Sequence, residues 1–195
     1  MRRSRIFIYA LFILSLSSCI KQLDKTFTGQ SVAEIDAAVL NSSTAPAIYP
    51  IVTRVLPEGK PISTTLDSTL RRLSRNVRVR INLVGTQSSK DETVGYTTFT
   101  SPITSIAFPA TITGQTPSRA AATLNVSDAV AGTHYTALSG KVTIPAGTSF
   151  GYIDISILAA TAATQARFIG IRLDNTGSIP PSENYKELGL VIDQR

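Results

Sequence analysis

Asn76-Val77-Arg78-Val79-Arg80-Ile81-Asn82-Leu83-Val84-Gly85 is the stretch that decides the fold class. Val77, Val79, Ile81 and Leu83 alternate with Arg78, Arg80 and Asn82. A period of two gives a strand with one face on a core and one in water. Three other stretches repeat the pattern. Phe150 to Leu158 carries Ile153, Ile155 and Ile157 on one face and Asp154 and Ser156 on the other. Arg167 to Leu173 sets Ile169, Ile171 and Leu173 against Arg172, and Lys186 to Ile192 aligns Leu188, Leu190 and Ile192. Weaker strands are expected at Ala47–Val55, Thr93–Thr100, Ala121–Val126 and Lys141–Ile144. Val32 to Leu40 reads as an edge strand, and Pro57 to Arg75 as a long exposed loop. Pro145-Ala146-Gly147, Asp174-Asn175-Thr176-Gly177 and Pro180-Pro181 punctuate the chain as turns. Short strands with turn signals every ~8–12 residues, and no convincing amphipathic helix, predict an all-β, antiparallel, immunoglobulin-like sandwich over residues 31–195.

The chain has 195 residues, 43% hydrophobic and 16% charged, which suits one domain with attached segments. There is enough apolar content for a core and too little charge for wholesale disorder. The net charge is +6, but Arg2, Arg3 and Arg5 lie in the first eighteen residues, which hold no acid; without those three it is +3. That balance does not imply a nucleic-acid partner. A single Cys excludes an intramolecular disulfide framework and a cysteine-cluster zinc site.

That cysteine has a distinctive setting. Met1 to Arg5 is basic, and Ile6 to Leu16 is apolar. The apolar run fits the ~7–15 residues of a signal-peptide core and falls short of the ~20 that span a bilayer. Leu16-Ser17-Ser18-Cys19 follows, and it resembles the lipobox of bacterial lipoproteins. Small residues precede the cut, and the thiol at the new N-terminus takes a diacylglycerol. The resemblance implies a signal peptide over residues 1–18, then a lipidated Cys19 and a polar tether over residues 19–30. Several acyl chains on one cysteine anchor stably, since each buried CH₂ contributes ~0.8 kcal/mol. Ile20, not Asp, follows the cysteine, so no signal for inner-membrane retention is present. The expected location is the outer membrane, on its periplasmic face or at the cell surface.

The segment AVAGTHYTALSGKVTIPAGTSFGYIDISIL (Ala129–Leu158) resembles the Calx-β domain pattern of a Gly-x-Asp-Tyr element, a strand, a Pro-Ala-Gly turn and an alternating strand. Gly132-Thr133-His134-Tyr135 stands for the first element and Pro145-Ala146-Gly147 for the turn. Asn76–Gly85 and Ile179–Asp193 look like the flanking strands of lipoproteins common in the Bacteroidetes, in which a Calx-β- or immunoglobulin-like domain follows a lipobox. Many of those are similar in setting to accessory lipoproteins of polysaccharide-utilisation systems. Some Calx-β domains bind Ca²⁺ through clustered carboxylates. Here His134 replaces that aspartate, and Asp128, Asp154, Asp174 and Glu183 are scattered, whereas Ca²⁺ wants ~6–8 oxygen ligands. No metal and no cofactor are expected.

Catalytic chemistry is poorly supplied. The one His lies in a predicted turn beside Tyr135, and there is no G-x-S-x-G elbow, P-loop or H-E-x-x-H. The chain reads as a non-enzyme. Arg71, Arg72, Arg75, Arg78 and Arg80 form the densest charge cluster. Arg78 and Arg80 are the wet face of a strand. Arg71, Arg72 and Arg75 are candidates for contact with an anionic partner such as lipid head groups or an acidic glycan. Sugars dock on flat apolar rings, and Tyr96, Phe99, Tyr135, Tyr152, Phe168 and Tyr185 are the aromatic candidates, with Tyr96 and Tyr135 as the candidate ligand contacts; core packing or a tyrosine corner explains most of them equally well. Asp67-Ser68-Thr69 matches the O-glycosylation acceptor pattern of exported Bacteroidetes proteins, which makes Ser68 a candidate site. These readings converge on a membrane-anchored, non-enzymatic binding or accessory module in glycan capture or uptake. Its partners would be the membrane, through the lipid anchor, and a polysaccharide or an outer-membrane protein complex, with no nucleic acid. The alternative is a structural or adhesion subunit that contacts a partner protein by strand addition at a sheet edge.

Overall fold

The computed structural model describes residues 29–36, 49–55, 67–72, 75–114 and 118–195. Cys19, the lipobox residues Leu16, Ser17 and Ser18, and most of the tether lie outside the described residues. Among the described residues there are ten strands and no helix. In chain order they are β1 (Val32–Ile35), β2 (Ile51–Val52), β3 (Arg75–Val84), β4 (Glu92–Phe99), β5 (Ser105–Phe108), β6 (Ala122–Asp128), β7 (Lys141–Ile144), β8 (Phe150–Ile157), β9 (Ala166–Asp174) and β10 (Glu187–Asp193).

The smaller sheet has the order β1-β3-β8, and the larger runs β2-β10-β9-β4-β7 with β6 beside β9 and β5 beside β6. The all-β sandwich expected of the sequence is the fold observed. The four strands with clear alternation supply its core. Val77, Val79 and Ile81 of β3 and Ile153, Ile155 and Ile157 of β8 pack against Ile169, Ile171 and Leu173 of β9 and Leu188, Leu190 and Ile192 of β10. Each such side chain contributes about 1.5–3 kcal/mol on burial.

The larger sheet departs from the expected antiparallel pattern. β2 runs parallel to β10, and β6 runs parallel to β9. One edge of β9 is shared: β4 pairs with its residues 170–174 and β6 with its residues 166–168. A second, smaller core therefore forms on the outer face of this sheet, where Ile51, Phe168 and Val191 lie under Phe108 of β5 and Leu124 of β6. The two layers become three at that end. The residues of β9 explain where: its outer-facing positions run from Phe168, under the β5–β6 hairpin, to Arg172, in water. Alternation in the sequence does not reveal β5, because its Ile106 and Phe108 face another sheet rather than the main core.

β1 is the edge strand expected, though only Val32–Ile35 is strand and residues 37–40 lie outside the described residues. Its edge away from β3 is stitched down: the Ala33 N–H donates to the Pro180 carbonyl, the Ile35 N–H to Tyr185 and the Ser182 N–H to Ala33. The expected strand at Ala47–Val55 contracts to Ile51–Val52.

The long exposed loop needs correction. Residues 56–66 and 73–74 lie outside the described residues, but residues 68–71 are buried. Leu70 is fully buried, and its N–H donates to the Thr53 carbonyl while its own carbonyl accepts from the Asp193 N–H. This strap is part of the fold's end and not a solvated excursion. Ser68 is corrected with it. It is only 7% exposed, and its carbonyl accepts from the Val55 N–H. Ser68 is thus not on the exposed loop where an acceptor serine was expected.

Candidate functional site

Of the arginine candidates, Arg71 is buried and Arg72 and Arg75 are half-buried, each tied to groups of the protein itself. Arg71 is 6% exposed and pairs with Asp193 and Asp67. Arg72 Nη1 donates to the Ala160 carbonyl, and Arg75 donates to the carbonyls of Thr69 and Val55. Burial lowers the Arg75 pKa, against the opposing pull of Asp67. The reason for the correction is the strap: once residues 67–72 dock on the end of β10, these guanidiniums satisfy backbone carbonyls and buried carboxylates instead of solvent. Arg78 and Arg80 do sit on the wet face expected. Arg78 pairs with Asp154 at 2.8 Å and lies over the Tyr152 ring, and Arg80 lies over the Phe150 ring.

The tyrosine candidates behave differently: the fold brings them together. Tyr96 and Tyr135 line one depression of about 450 Å³, with Thr97, Thr98, Ala131 and Leu138 among its walls. Tyr96 comes from β4 of the larger sheet, between the inward Val94 and the open end of the strand. The Tyr96 N–H donates to the Gly140 carbonyl at 2.9 Å, and its hydroxyl lies 3.4 Å from Ser139 Oγ. Tyr135 belongs to a turn docked on the end of β8: it bridges to Ile157, and the Thr136 N–H donates to the Ser156 carbonyl. Burial raises the Tyr135 pKa, so the phenol stays neutral.

His134 holds that turn closed. Its Nδ1 accepts from the Val130 N–H at 2.9 Å, and its backbone N–H donates to the Val130 carbonyl. Gly132, at φ +80°, supplies the left-handed residue the turn needs. Burial, and then the nearby Arg167, push the imidazole pKa down. An Nδ1 that accepts a hydrogen bond is unprotonated, so His134 acts here as a neutral brace for Tyr135.

The depression exists because β7 is short. β7 pairs with β4 only as far as Gly95↔Lys141. Beyond Tyr96, whose N–H takes the Gly140 carbonyl, the edge of β4 has no further partner strand among the described residues. Since the Tyr96 N–H points away from β9, alternation in an antiparallel ladder turns the Thr98 N–H and C=O the same way, into the depression. Thr98 also shares the inward register of Val94 and Tyr96 yet is exposed. Thr97, Thr98, Ala137 and Leu138 are site residues that sequence reasoning missed. The one available signal was a polar residue at an inward position of β4.

A second depression of about 570 Å³ is lined by Arg172, Asp174, Glu183 and Lys186 among others. Its charges are already engaged: Arg172 pairs with Glu187 and Lys186 with Glu183, and Asp174 accepts from the Thr176 N–H. Among the described residues no group of three or more His, Cys, Asp or Glu is arranged to hold a metal ion. Among them, too, no helix is long and apolar enough to cross a membrane.

No family model and no curated protein matches the chain. Among solved structures it is similar to the apo form of the Calx CBD1 domain, at 16% identity and a TM-score of 0.37, over 60% of this chain and 82% of that one. It is similar to CBD12 from CALX1.2 at 17% identity and a TM-score of 0.38, over 60% of this chain and 36% of that one. It is also similar to a "putative carbohydrate binding protein" from Bacteroides ovatus, at 10% identity and a TM-score of 0.35, over 63% of this chain and 31% of that one. Likeness at this level carries no argument about family or activity, and the fold stands on the two sheets themselves.

Proposed function

We propose that this chain is a lipid-anchored, non-enzymatic binding module of the bacterial envelope that captures glycan in the depression between Tyr96 and Tyr135. The observation that carries the reading is the convergence of these two tyrosines, one from each side of the sandwich, on one open depression. Both are only 5% and 7% exposed, so the open wall comes from Thr98, Ala131 and Ala137, a mix of polar and apolar surface that suits a sugar, whose faces are apolar and whose rim is polar. The anchoring part of the proposal rests on Leu16-Ser17-Ser18-Cys19. His134 is spent on its own turn, Glu92 accepts from Ser88 and Ser178, and Asp154 is paired with Arg78. Strand addition has less to work with at the edge of β8: a Cβ at Gly151 would collide with the Thr143 carbonyl of β7, and residues 134–136 cover the far end.

The test is a polysaccharide array probed with the protein extracted from membranes. Binding that is lost in Ala137→Arg, a change at an exposed wall of the depression, supports the proposal. Uniform non-binding across the array refutes glycan capture and moves weight to the adhesion reading.

A further inference from the structure

We infer that the ligand of the Tyr96–Tyr135 depression is an uncharged sugar, a short neutral oligosaccharide held by hydroxyl and backbone hydrogen bonds and not by ion pairs. This rests on the proposed glycan-binding function and narrows its ligand.

The first observation is the chemistry of the walls. Thr98 supplies an exposed hydroxyl, Ala131 and Leu138 supply apolar surface, and Tyr96 and Tyr135, only 5% and 7% exposed, contribute little of the wall. Among the described residues, no Asp, Glu, Lys, Arg or His lines the depression. The open edge of β4 adds the Thr98 N–H and C=O, one donor and one acceptor, which match the dual character of a sugar hydroxyl. A wholly apolar ligand would leave these groups unpaired as it displaced their water.

The second observation is where the cations are. Arg71, Arg72 and Arg75, which would favour an acidic glycan on a surface, are tied into the strap at the end of β10. The titratable side chain next to the site, His134, faces the Val130 N–H with an unprotonated nitrogen. A uronate in this depression would find no cation among the lining residues, so its carboxylate gains no ion pair there, and any water it sheds is an uncompensated cost. A neutral sugar exchanges hydroxyl–water hydrogen bonds for hydroxyl–protein ones. The site thus selects against charge by what it lacks, while its hydroxyls select against purely apolar molecules.

The volume agrees. About 450 Å³ lies near the lower end of the range for small-molecule sites, roughly 300–1,000 Å³, which suits a short segment or chain end.

The experiment is calorimetric titration of the membrane-extracted full-length product, in a detergent without a sugar head group. The neutral probes are xylotriose, cellotriose, maltotriose and mannotriose, and the acidic probe is trigalacturonic acid, each at low and at high salt. Saturable binding of at least one neutral probe, indifferent to salt, is expected, with no binding of trigalacturonate. Thr98→Val keeps the shape of the wall and should weaken the neutral sugar by about tenfold, the equivalent of one hydrogen bond. Thermal unfolding of this variant near the parent temperature shows that the loss is not unfolding. Tighter binding of trigalacturonate than of any neutral probe, weakening with salt, overturns the inference and leaves glycan capture standing. Neutral-sugar binding that Ala137→Arg leaves intact puts the ligand elsewhere and overturns it too. Binding of none of the five probes refutes the glycan reading itself, and the inference falls with it.

Discussion

Arg71 and Asp193 are separated by 122 residues in the chain and by 2.6 Å in the fold. The Asp193 side chain is fully buried, and Arg195 Nη2 reaches the same oxygen at 2.9 Å. Asp67 in turn accepts from Arg71 at 2.9 Å. This chain of ion pairs straps residues 67–72 to the end of β10. Removing the shared carboxylate in Asp193→Ala leaves two guanidiniums facing one another, and should destabilise the protein by about 3–5 kcal/mol. Arg71→Met should cost less, because Arg195 still pairs with Asp193. Urea unfolding of the two variants checks the order; equal and negligible shifts would contradict it.

Acid should loosen the fold in two steps. The His134 pKa is depressed by burial and Arg167. In the window below the unfolded value, about 6.5, the unfolded chain therefore binds more protons than the folded one, and stability falls with pH. Asp67 and Glu92 act lower down. Burial alone would raise Asp67, but hydrogen bonds from Thr69 and Arg71 outweigh it, and Ser178 and Ser88 lower Glu92. Their contribution is complete above the ordinary carboxylate range near 4 and is lost as the pH falls below it. Urea midpoints measured from pH 8 to pH 3 should show both declines, and His134→Gln should remove only the upper one.

Gly151 of β8 lies directly against Thr143 of β7. A Cβ there would overlap the Thr143 carbonyl oxygen, a backbone atom with little freedom to yield. Gly151→Ala should destabilise by about 1–3 kcal/mol through overpacking. Gly132→Ala differs, because no atom crowds that position and only its φ of +80° is strained. It should disturb the Tyr135 turn more than global stability. Thermal melts of the two variants, compared with ligand affinity, separate these effects.

The main core was legible because alternation in β3, β8, β9 and β10 needs only one wet face to be visible. β9 and β10 also bury part of their outer faces, yet Arg172 kept enough polarity to mark the period. The outer core was not legible, since β5 is four residues long and packs its Phe108 on another sheet. The inward turn of Arg71 depends on Asp193, and the meeting of Tyr96 with Tyr135 depends on pairings across two sheets. Neither relation has a local signature. The turn around His134 was legible, because Gly132 and the short polar run announce it.

The N-terminal account yields its own prediction. Mass spectrometry of the protein made in a bacterium should find Cys19 as the first residue, carrying fatty acid. Cys19→Ser should move the protein from the membrane fraction to the soluble one. An intact Met1 and an unmodified thiol would contradict the anchor and the envelope setting built on it.

The most direct measurement of the central claim is amide chemical-shift mapping of the isotope-labelled protein during titration with the neutral trisaccharide that binds best. Shifts should concentrate at Tyr96, Thr98, Tyr135 and Leu138, with the Thr98 amide among the largest. Shifts gathered instead around Arg78, Tyr152 and Asp154 on the outer face of the smaller sheet would contradict the assignment of the site, and no shifts anywhere would contradict the binding itself.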